Sequence, residues 1–403
     1  MKSNYKRIGD FIELVDERNT DLKVDTLVGL SINKIFIPSV ANTVGTNMKR
    51  YKIIRKNQFA CSTMQVRRDK KMPVALLKEH DKAIISQAYP VFQVIDENVL
   101  LSEYLMMWMS REEFDRHACF LAVGGVRGSL EWEDFLDMEI PVPSIEKQRE
   151  IVTEYNAVVN RIKLNEELNQ KLEETAQTIY RQWFEKFEFP IPKELAEEMG
   201  TPELEGKPYK SSGGEMVYNE ELEKEIPMGW GVNSWKEISV LEYGKRLTGY
   251  RECLQGVPVY GTNGQVGYTK KPLFNDEGII IGRKGVYRGV HFSLEPFYVI
   301  DTAYYLRLNN ISSMIWAFYE ILSFDMNEME SGSAIPSTSR DDFYQLKSTI
   351  PLKNIMNDFD TRVRIIFDLM RILEGEDSSL SQLTSIMRSK MTKVEVSRET
   401  EMA

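Results

Sequence analysis

Apolar residues recur three and four positions apart in two long stretches of this chain. The first stretch contains Ile151, Val158, Ile162, Leu172 and Ile179, and the second contains Phe359, Ile366, Met370, Leu380 and Met387. The spacing persists without proline and with only Gly375 as a break, so it predicts two long helices with a coiled-coil seam. The alternative is that each is an amphipathic helix packing on its own domain.

An internal repeat relates the two stretches. A shift of 208 residues lays Gly124, Ser129, Asp134, Phe135 and Pro143 on Gly332, Ser337, Asp342, Phe343 and Pro351. The same shift lays the first helical stretch on the second. Such self-similarity predicts one architectural element used twice, and two matching seams favour antiparallel packing of the helices on each other.

Strand patterns precede each helical stretch. The runs AIISQAYPVFQVI and PFYVIDTAYYLRL have the composition of strands, and they align with a shift of 214 residues. Farther upstream, a shift of 230 lays Tyr5 and Ile8 on Trp235 and Ile238. We therefore predict an α+β fold in which two β-rich domains alternate with two long helices that pair as an antiparallel coiled coil. The predicted boundaries are 1–143 and 230–351 for the β-rich domains, 144–187 and 352–395 for the helices, and 188–229 for a linker.

Charge is distributed unevenly along the 403 residues, whose formal net charge is −10. Residues 45–90 hold eleven Lys and Arg against three acids, and residues 243–290 hold eight against three. Residues 144–229 hold eleven against nineteen acids. Two basic blocks thus flank an acidic middle, a pattern that favours a polyanion-facing surface on each β-rich domain.

Signatures of catalysis and of metal binding are missing from the sequence. The three cysteines and three histidines are far apart, so neither a disulfide framework nor a Cys/His zinc site is predicted, and we expect inert thiols. The chain has no phosphate-binding loop, no His-Glu-x-x-His and no Asn-Pro-Pro-aromatic or Asp-Pro-Pro-aromatic tetrapeptide, which argues against an autonomous enzyme. It also has no apolar run long enough for a membrane span, so we expect a cytoplasmic protein.

Candidate DNA-binding residues cluster in both basic blocks. In the second, glycines allow tight loops, Asn and Gln can pair with adenine, and Arg and Lys suit phosphates. The second-domain candidates are Arg246, Asn263, Gln265, Tyr268, Lys270, Arg283, Lys284, Tyr287 and Arg288. The first-domain candidates are Lys49, Arg50, Gln65, Arg67, Arg68, Lys70 and Lys71. The alternatives are a glycine-rich hairpin of any β domain and ordinary solvated basic surface.

Several of these segments, taken together, resemble a known family. The succession YGTNGQVGY, GIIIGRKGVYRG, VIDTAYYL and SGSAIPSTSRDDF is similar to a target recognition domain and conserved region of type I restriction-modification specificity subunits. KNQFACSTMQVRRD and IPVPSIEKQREIV carry the likeness in the first half, where no GTNG loop occurs.

The resemblance implies a non-catalytic subunit that reads a bipartite double-stranded DNA target. It implies docking of methyltransferase subunits, two of them by expectation, on the long helices, and of motor-nuclease subunits through them. S-adenosylmethionine would be bound by the methyltransferase and not by this chain. A stand-alone duplicated DNA-binding regulator and a coiled-coil scaffold that binds only protein remain the alternatives.

Overall fold

A computed structural model describes residues 5–39, 46–64, 66–122, 128–253, 255–311, 313–328 and 337–391. The chain divides into two compact units, residues 1–166 with 374–403 and residues 167–373. None of the described helices is long and apolar enough to cross a membrane.

The strands of the first unit are β1 (Tyr5–Arg7), β2 (Ile12–Val15), β3 (Val28–Leu30), β4 (Phe36–Pro38), β5 (Lys52–Arg55), β6 (Phe59–Cys61), β7 (Val74–Leu76), β8 (Lys82–Ile85), β9 (Val91–Val94) and β10 (Glu139–Pro141). Those of the second are β11 (Met216–Asn219), β12 (Lys224–Pro227), β13 (Gly231–Ser234), β14 (Ser239–Tyr243), β15 (Val257–Gly261), β16 (Gly264–Thr269), β17 (Gly278–Gly282), β18 (Val290–Ser293), β19 (Tyr298–Val299), β20 (Ala303–Leu308) and β21 (Lys347–Ile350).

The helices are α1 (Val66–Asp69), α2 (Ser102–Met109), α3 (Glu112–Leu121), α4 (Trp132–Asp137), α5 (Ile145–Tyr180), α6 (Lys193–Glu198), α7 (Trp235–Ile238), α8 (Met314–Leu322), α9 (Arg340–Gln345) and α10 (Lys353–Lys390). A π-helical turn, Arg181–Glu185, continues α5. The two long helices α5 and α10 are those that the apolar spacing predicts, and each contributes to both units.

The two units repeat one sheet topology. The first unit has a four-stranded sheet in the order β2-β9-β6-β7, and the second has one in the order β14-β20-β17-β18. Each unit also pairs its first strand with the strand before its long helix, β1 with β10 and β13 with β21, both antiparallel. These matching ladders confirm the predicted fold class.

One predicted match is wrong in register. The shift of 230 lays Tyr5 on Trp235. The hydrogen bonds of the two ladders show instead that Ile8 occupies the position in the first unit that Trp235 occupies in the second. The Ile8 N–H donates to Met138 O and the Trp235 N–H donates to Leu346 O, and these two acceptors match under the 208-residue shift. Ile8 and Trp235 are both 0% exposed, so the repeat preserves a buried position rather than an aromatic one.

Within the second unit, the long helices meet on aromatic side chains. The Phe359 ring lies 4.9 Å from that of Phe184, 5.7 Å from that of Trp183 and 6.3 Å from that of Tyr180. Phe359 is 0% exposed, and the cluster continues into Phe187 and Trp230. Phe189 and Tyr209, from the segment predicted to be a linker, belong to the same core, and the Phe189 ring lies 5.4 Å from that of Trp230.

Within the first unit, the same helices meet on polar side chains. Arg161 binds Glu376 through two nitrogens, at 3.0 and 3.2 Å. Asn165 is 1% exposed, and its Nδ2 donates to Glu376 at 2.9 Å and to Asp377 at 2.7 Å. Arg161 of α5 contacts Glu376 of α10, whereas Tyr180, later on α5, contacts Phe359, earlier on α10. The two helices therefore run antiparallel. All the predicted seam residues are buried or half-buried.

Candidate nucleic-acid interface

Corresponding loops of the two units carry groups of basic side chains. Residues 62–73 connect β6 to β7, and residues 283–289 connect β17 to β18 at the same place in the repeated sheet. The N–H of Leu130 donates to Thr63 O, and the N–H of Thr338 donates to Arg283 O, both at 2.9 Å. Leu130 and Thr338 match under the 208-residue shift, so the same repeat segment supports both loops from behind.

The first loop has a buried anchor at each end. Val66 and Met72 are both 0% exposed, and the Met72 N–H donates to Asp115 Oδ1 at 3.0 Å. With the apolar side chains inside, the basic ones are left exposed at the surface: Arg67, Arg68, Lys70 and Lys71. Of these, Arg68 binds its neighbour Asp69 at 2.6 Å. Gln65 lies outside the described residues.

In the second loop, Arg283 is held against aromatic rings. Its guanidinium carbon lies 4.8 Å from the Tyr243 ring centre and 5.7 Å from that of Tyr304, and its Nη1 donates to Asp301 O at 3.2 Å. The guanidinium carbon of Arg340 lies 5.2 Å from the centre of the same Tyr243 ring. Stacking of this kind keeps a guanidinium charged and fixed while leaving donors for a phosphate.

Sequence reasoning missed Tyr243 and Arg340. They come from β14 and from the start of α9, far along the chain from the loop that they flank. Tyr243 is 45% exposed, and Arg340 is also exposed. The signal available in the sequence was that Arg340 follows directly on the repeat segment SGSAIPSTS, whose described residue Ser337 forms a β-bridge with Lys284 of the loop.

Arg288 differs from the other predicted DNA-binding residues because its side chain is buried. It is 4% exposed, and its guanidinium donates to the backbone oxygens of Gly285, Met326 and Asn327. In this conformation it fastens the loop to the domain and does not face outward. Lys284 and Tyr287, by contrast, are exposed.

The GTNG turn, residues 261–264, joins β15 to β16 and packs on the same loop. Thr262 Oγ1 donates to Lys284 O at 2.8 Å, and the Asn263 amide nitrogen, in the orientation that satisfies its bonds, donates to Tyr287 O at 2.6 Å. Gly264 has φ of +108°, which a residue with a side chain rarely adopts. Turn and loop therefore form one surface, on which Gln265 is exposed.

His291 lies beneath this turn. Its Nε2 is 3.3 Å from Thr262 O, and its ring packs next to Gly264 and Gly289. Burial lowers the pKa of His291 below its ordinary value of 6.5, so the ring is neutral at neutral pH. It supports the turn without adding charge to the surface.

The remaining predicted residues lie on other elements. Lys49 and Arg50 sit on the turn that precedes β5, whose ladder with β8 is separate from the four-stranded sheet. Arg246 is exposed just after β14, and Tyr268 and Lys270 lie at the end of β16. No described contact joins these residues to the two loops.

Metal-binding and nucleophilic chemistry are not evident in the described parts of either unit. No three His, Cys, Asp or Glu side chains among those residues are grouped as a metal site would require. Burial raises the pKa of the Cys61 thiol, which disfavours the reactive thiolate.

Comparison with known proteins finds a matching family model. Residues 2–174 match the model of the type I restriction modification DNA specificity domain. The match covers somewhat less than half of the chain.

Two specificity subunits of known sequence are similar to this chain at low identity. The Type I restriction enzyme MjaIX specificity subunit of Methanocaldococcus jannaschii is 23% identical over 302 residues, which cover 68% of this chain and 64% of that protein. This chain thus aligns with somewhat less than two thirds of that relative's length. The Type I restriction enzyme EcoprrI specificity subunit of Escherichia coli is 28% identical over 123 residues, 28% of this chain and 31% of that one.

A type I S subunit of known structure shares the fold. The S subunit of the type I restriction-modification system from M. genitalium superposes with a TM-score of 0.54 at 14% identity, covering 96% of this chain and 95% of that one. At that identity the likeness shows the architecture alone, so what this chain binds has to be argued from its own residues.

Proposed function

We propose that this chain is a non-catalytic DNA-recognition subunit that reads a bipartite target, one half-site for each unit. The observation that carries the proposal is the pair of corresponding loops, 62–73 and 283–289, which the same repeat segment supports and which both present cations outward. A repeated fold with different loop residues is suited to reading two different sequences.

Methylation of adenine would then be performed by partner methyltransferase subunits that bind S-adenosylmethionine and flip the base out of the duplex. Motor-nuclease subunits would join through those partners. The alternative, a stand-alone DNA-binding regulator with duplicated domains, would be stable without partners.

An exposed apolar stripe on α10 supports partner docking over the regulator. Within the second unit Ile365 and Ile372 are 68% and 63% exposed, and within the first unit Leu383 and Ile386 are 42% and 50% exposed. All four fall on the three-and-four spacing of a second helix face, distinct from the seam. Exposed apolar stripes of this kind mark protein contact surfaces.

The test of half-site reading compares base contacts with phosphate contacts. We expect Gln265→Ala to relax preference in one half-site only, at about 1–3 kcal/mol for a lost bidentate base contact. Lys284→Ala should weaken binding to all sequences and reduce the salt slope by about 1. Binding of the chain assembled with its methyltransferase to DNA libraries randomised in one half-site at a time, at two salt concentrations, measures both.

Lys193→Ala is the matched control, because Lys193 is an exposed lysine on α6, a helix that contributes no residue to either loop. It should leave both preference and salt slope unchanged. Equal loss of preference in both half-sites by Gln265→Ala would contradict the assignment of one half-site to each unit.

A second measurement tests the division of labour. Label transfer from S-adenosylmethionine to mixed DNA should be absent with the purified chain and present with the chain and its methyltransferase together. Robust transfer by the chain alone would overturn the proposal.

A further inference from the structure

Two apolar side chains project from the tip of the β17–β18 loop. Val286 is 69% exposed and Tyr287 is 77% exposed, between Lys284 on one side and the buried Arg288 on the other. Among large apolar side chains in the described residues, only Phe120 is more exposed than Tyr287.

The backbone that presents this tip is held from several sides. Arg288 Nη1 donates to Gly285 O at 2.9 Å and closes the turn across its ends. The Arg288 N–H donates to Asn327 Oδ1 at 3.0 Å, and the Asn263 amide donates to Tyr287 O. Gly285, at φ of +127°, makes the sharp bend. The turn is therefore preorganised, and little conformational entropy is lost when its side chains bind.

The chemistry of the tip does not match a phosphate contact or a base-edge contact. Val286 has no polar atom, and its neighbour Tyr287 presents a ring. Apolar residues on DNA-binding surfaces serve either as contacts to thymine methyl groups or as wedges that enter a base step and unstack it. Cations beside a wedge, here Lys284 and Arg283, hold the flanking phosphates.

We propose that the Val286–Tyr287 tip enters a base step of the half-site read by the second unit and unstacks it. This inference rests on the proposed DNA recognition. In the corresponding loop of the first unit, Met64 is the one exposed large apolar side chain among the described residues, at 47%, and no second one lies beside it there. The proposed distortion therefore belongs to the half-site of the second unit.

The experiment uses the chain assembled with its methyltransferase on duplexes carrying the target, with 2-aminopurine substituted at one position at a time outside the methylated adenines. We expect a several-fold rise in fluorescence at one step of a single half-site. Val286→Ser with Tyr287→Ser should reduce that rise to the level of free DNA, at protein concentrations that saturate the DNA.

Two variants separate a wedge from other roles of the loop. Tyr287→Phe keeps the ring and should keep the rise in fluorescence. If the rise depended on a contact between the Tyr287 hydroxyl and a phosphate, this variant would lose it. Lys284→Ala should weaken binding but keep the signal at saturation. Because these side chains are exposed, all variants should retain the thermal stability of the parent assembly.

The outcomes distinguish this inference from the function on which it rests. Sequence-specific binding with no unstacked step, or a step still unstacked in the double serine variant, would overturn the wedge and leave DNA recognition standing. Weaker binding by the double variant without any change in fluorescence would indicate a groove contact and would also overturn it. Absence of sequence-specific binding by the assembly would overturn both.

Discussion

The two halves of the helix pair use opposite means to hold α5 against α10. In the second unit, Phe359 packs among Tyr180, Trp183 and Phe184, so burial of aromatic surface supplies the contact. In the first unit, Arg161 and Asn165 bind acids of the other helix, and the contact is a set of directional bonds. Aromatic packing is strong but tolerates sliding, whereas a buried amide between two carboxylates accepts one register. The comparison indicates that one end of the pair supplies stability and the other supplies alignment.

The largest effect should come from the aromatic end. Phe359→Ala removes a ring that is 0% exposed and leaves a cavity among three aromatic side chains. We expect a loss of about 3–5 kcal/mol in the free energy of unfolding, measured by chemical denaturation. A loss below about 1 kcal/mol, the scale of an ordinary surface change, would break the comparison, because the aromatic end would then not be the stabilising one.

A charge placed in the seam should cost less, because the seam leucines are only half-buried. Leu172→Glu and Leu380→Glu should each lower stability by about 2 kcal/mol through desolvation of the new carboxylate. Leu380→Glu should cost more, since it lies one turn from the acids Glu376 and Asp377. Leu164→Glu on α5 is the control, because Leu164 is 54% exposed. Equal effects at all three positions would show that these leucines do not face a helix partner.

The polar end should contribute modestly to stability and strongly to alignment. Asn165→Ala removes a buried donor from two carboxylates and should cost about 1 kcal/mol. Disulfide trapping between cysteines introduced at seam positions 158 and 380, which leaves Arg161, Glu376 and Asp377 in place, should become less selective for that pair over pairs one turn away. Unchanged selectivity would mean that Asn165 does not set the register. Thr178→Ala, a change on an exposed face of the same helix, serves as the reference.

The smallest effect is a difference in pH response between the two ends. Hydrogen bonds from Arg161 and Asn165 lower the pKa of Glu376 below its ordinary 4.5, so its contribution is present above that pH and is lost as the pH falls. Burial raises the pKa of Glu320, which accepts a hydrogen bond from Tyr180; its contribution is present below 4.5 and is lost as the pH rises through the raised pKa. Glu376→Gln should reduce the loss of unfolding free energy as the pH falls below 4.5. Glu320→Gln should reduce the loss of unfolding free energy as the pH rises above 4.5. Identical profiles for the two variants would contradict the difference.

Periodicity and the repeat predicted the long helices and the α+β class because both follow from regular spacing along the chain. Neighbours brought together from distant segments were not predictable in this way. Tyr243 and Arg340 flank Arg283 only after β14 and α9 fold beside the loop. Arg288 carries the same charge as Lys284 in the sequence, yet backbone carbonyls at residues 285, 326 and 327 bury its guanidinium. Composition identifies a basic loop, but which of its cations face outward depends on the tertiary structure.

The support behind the two loops has a consequence for the DNA recognition proposed above. Leu130 and Thr338 hold their loops through backbone bonds to Thr63 and Arg283, and these bonds do not depend on loop side chains. In the second loop the Arg288 side chain adds an attachment that an exchanged loop would have to keep. With those attachments kept, a loop could be exchanged for another of similar length while the sheet and the helices stay as they are. Under the proposed function, grafting a loop from a relative between β6 and β7, or between β17 and β18, is the smallest change that would alter the sequence preference of one half-site.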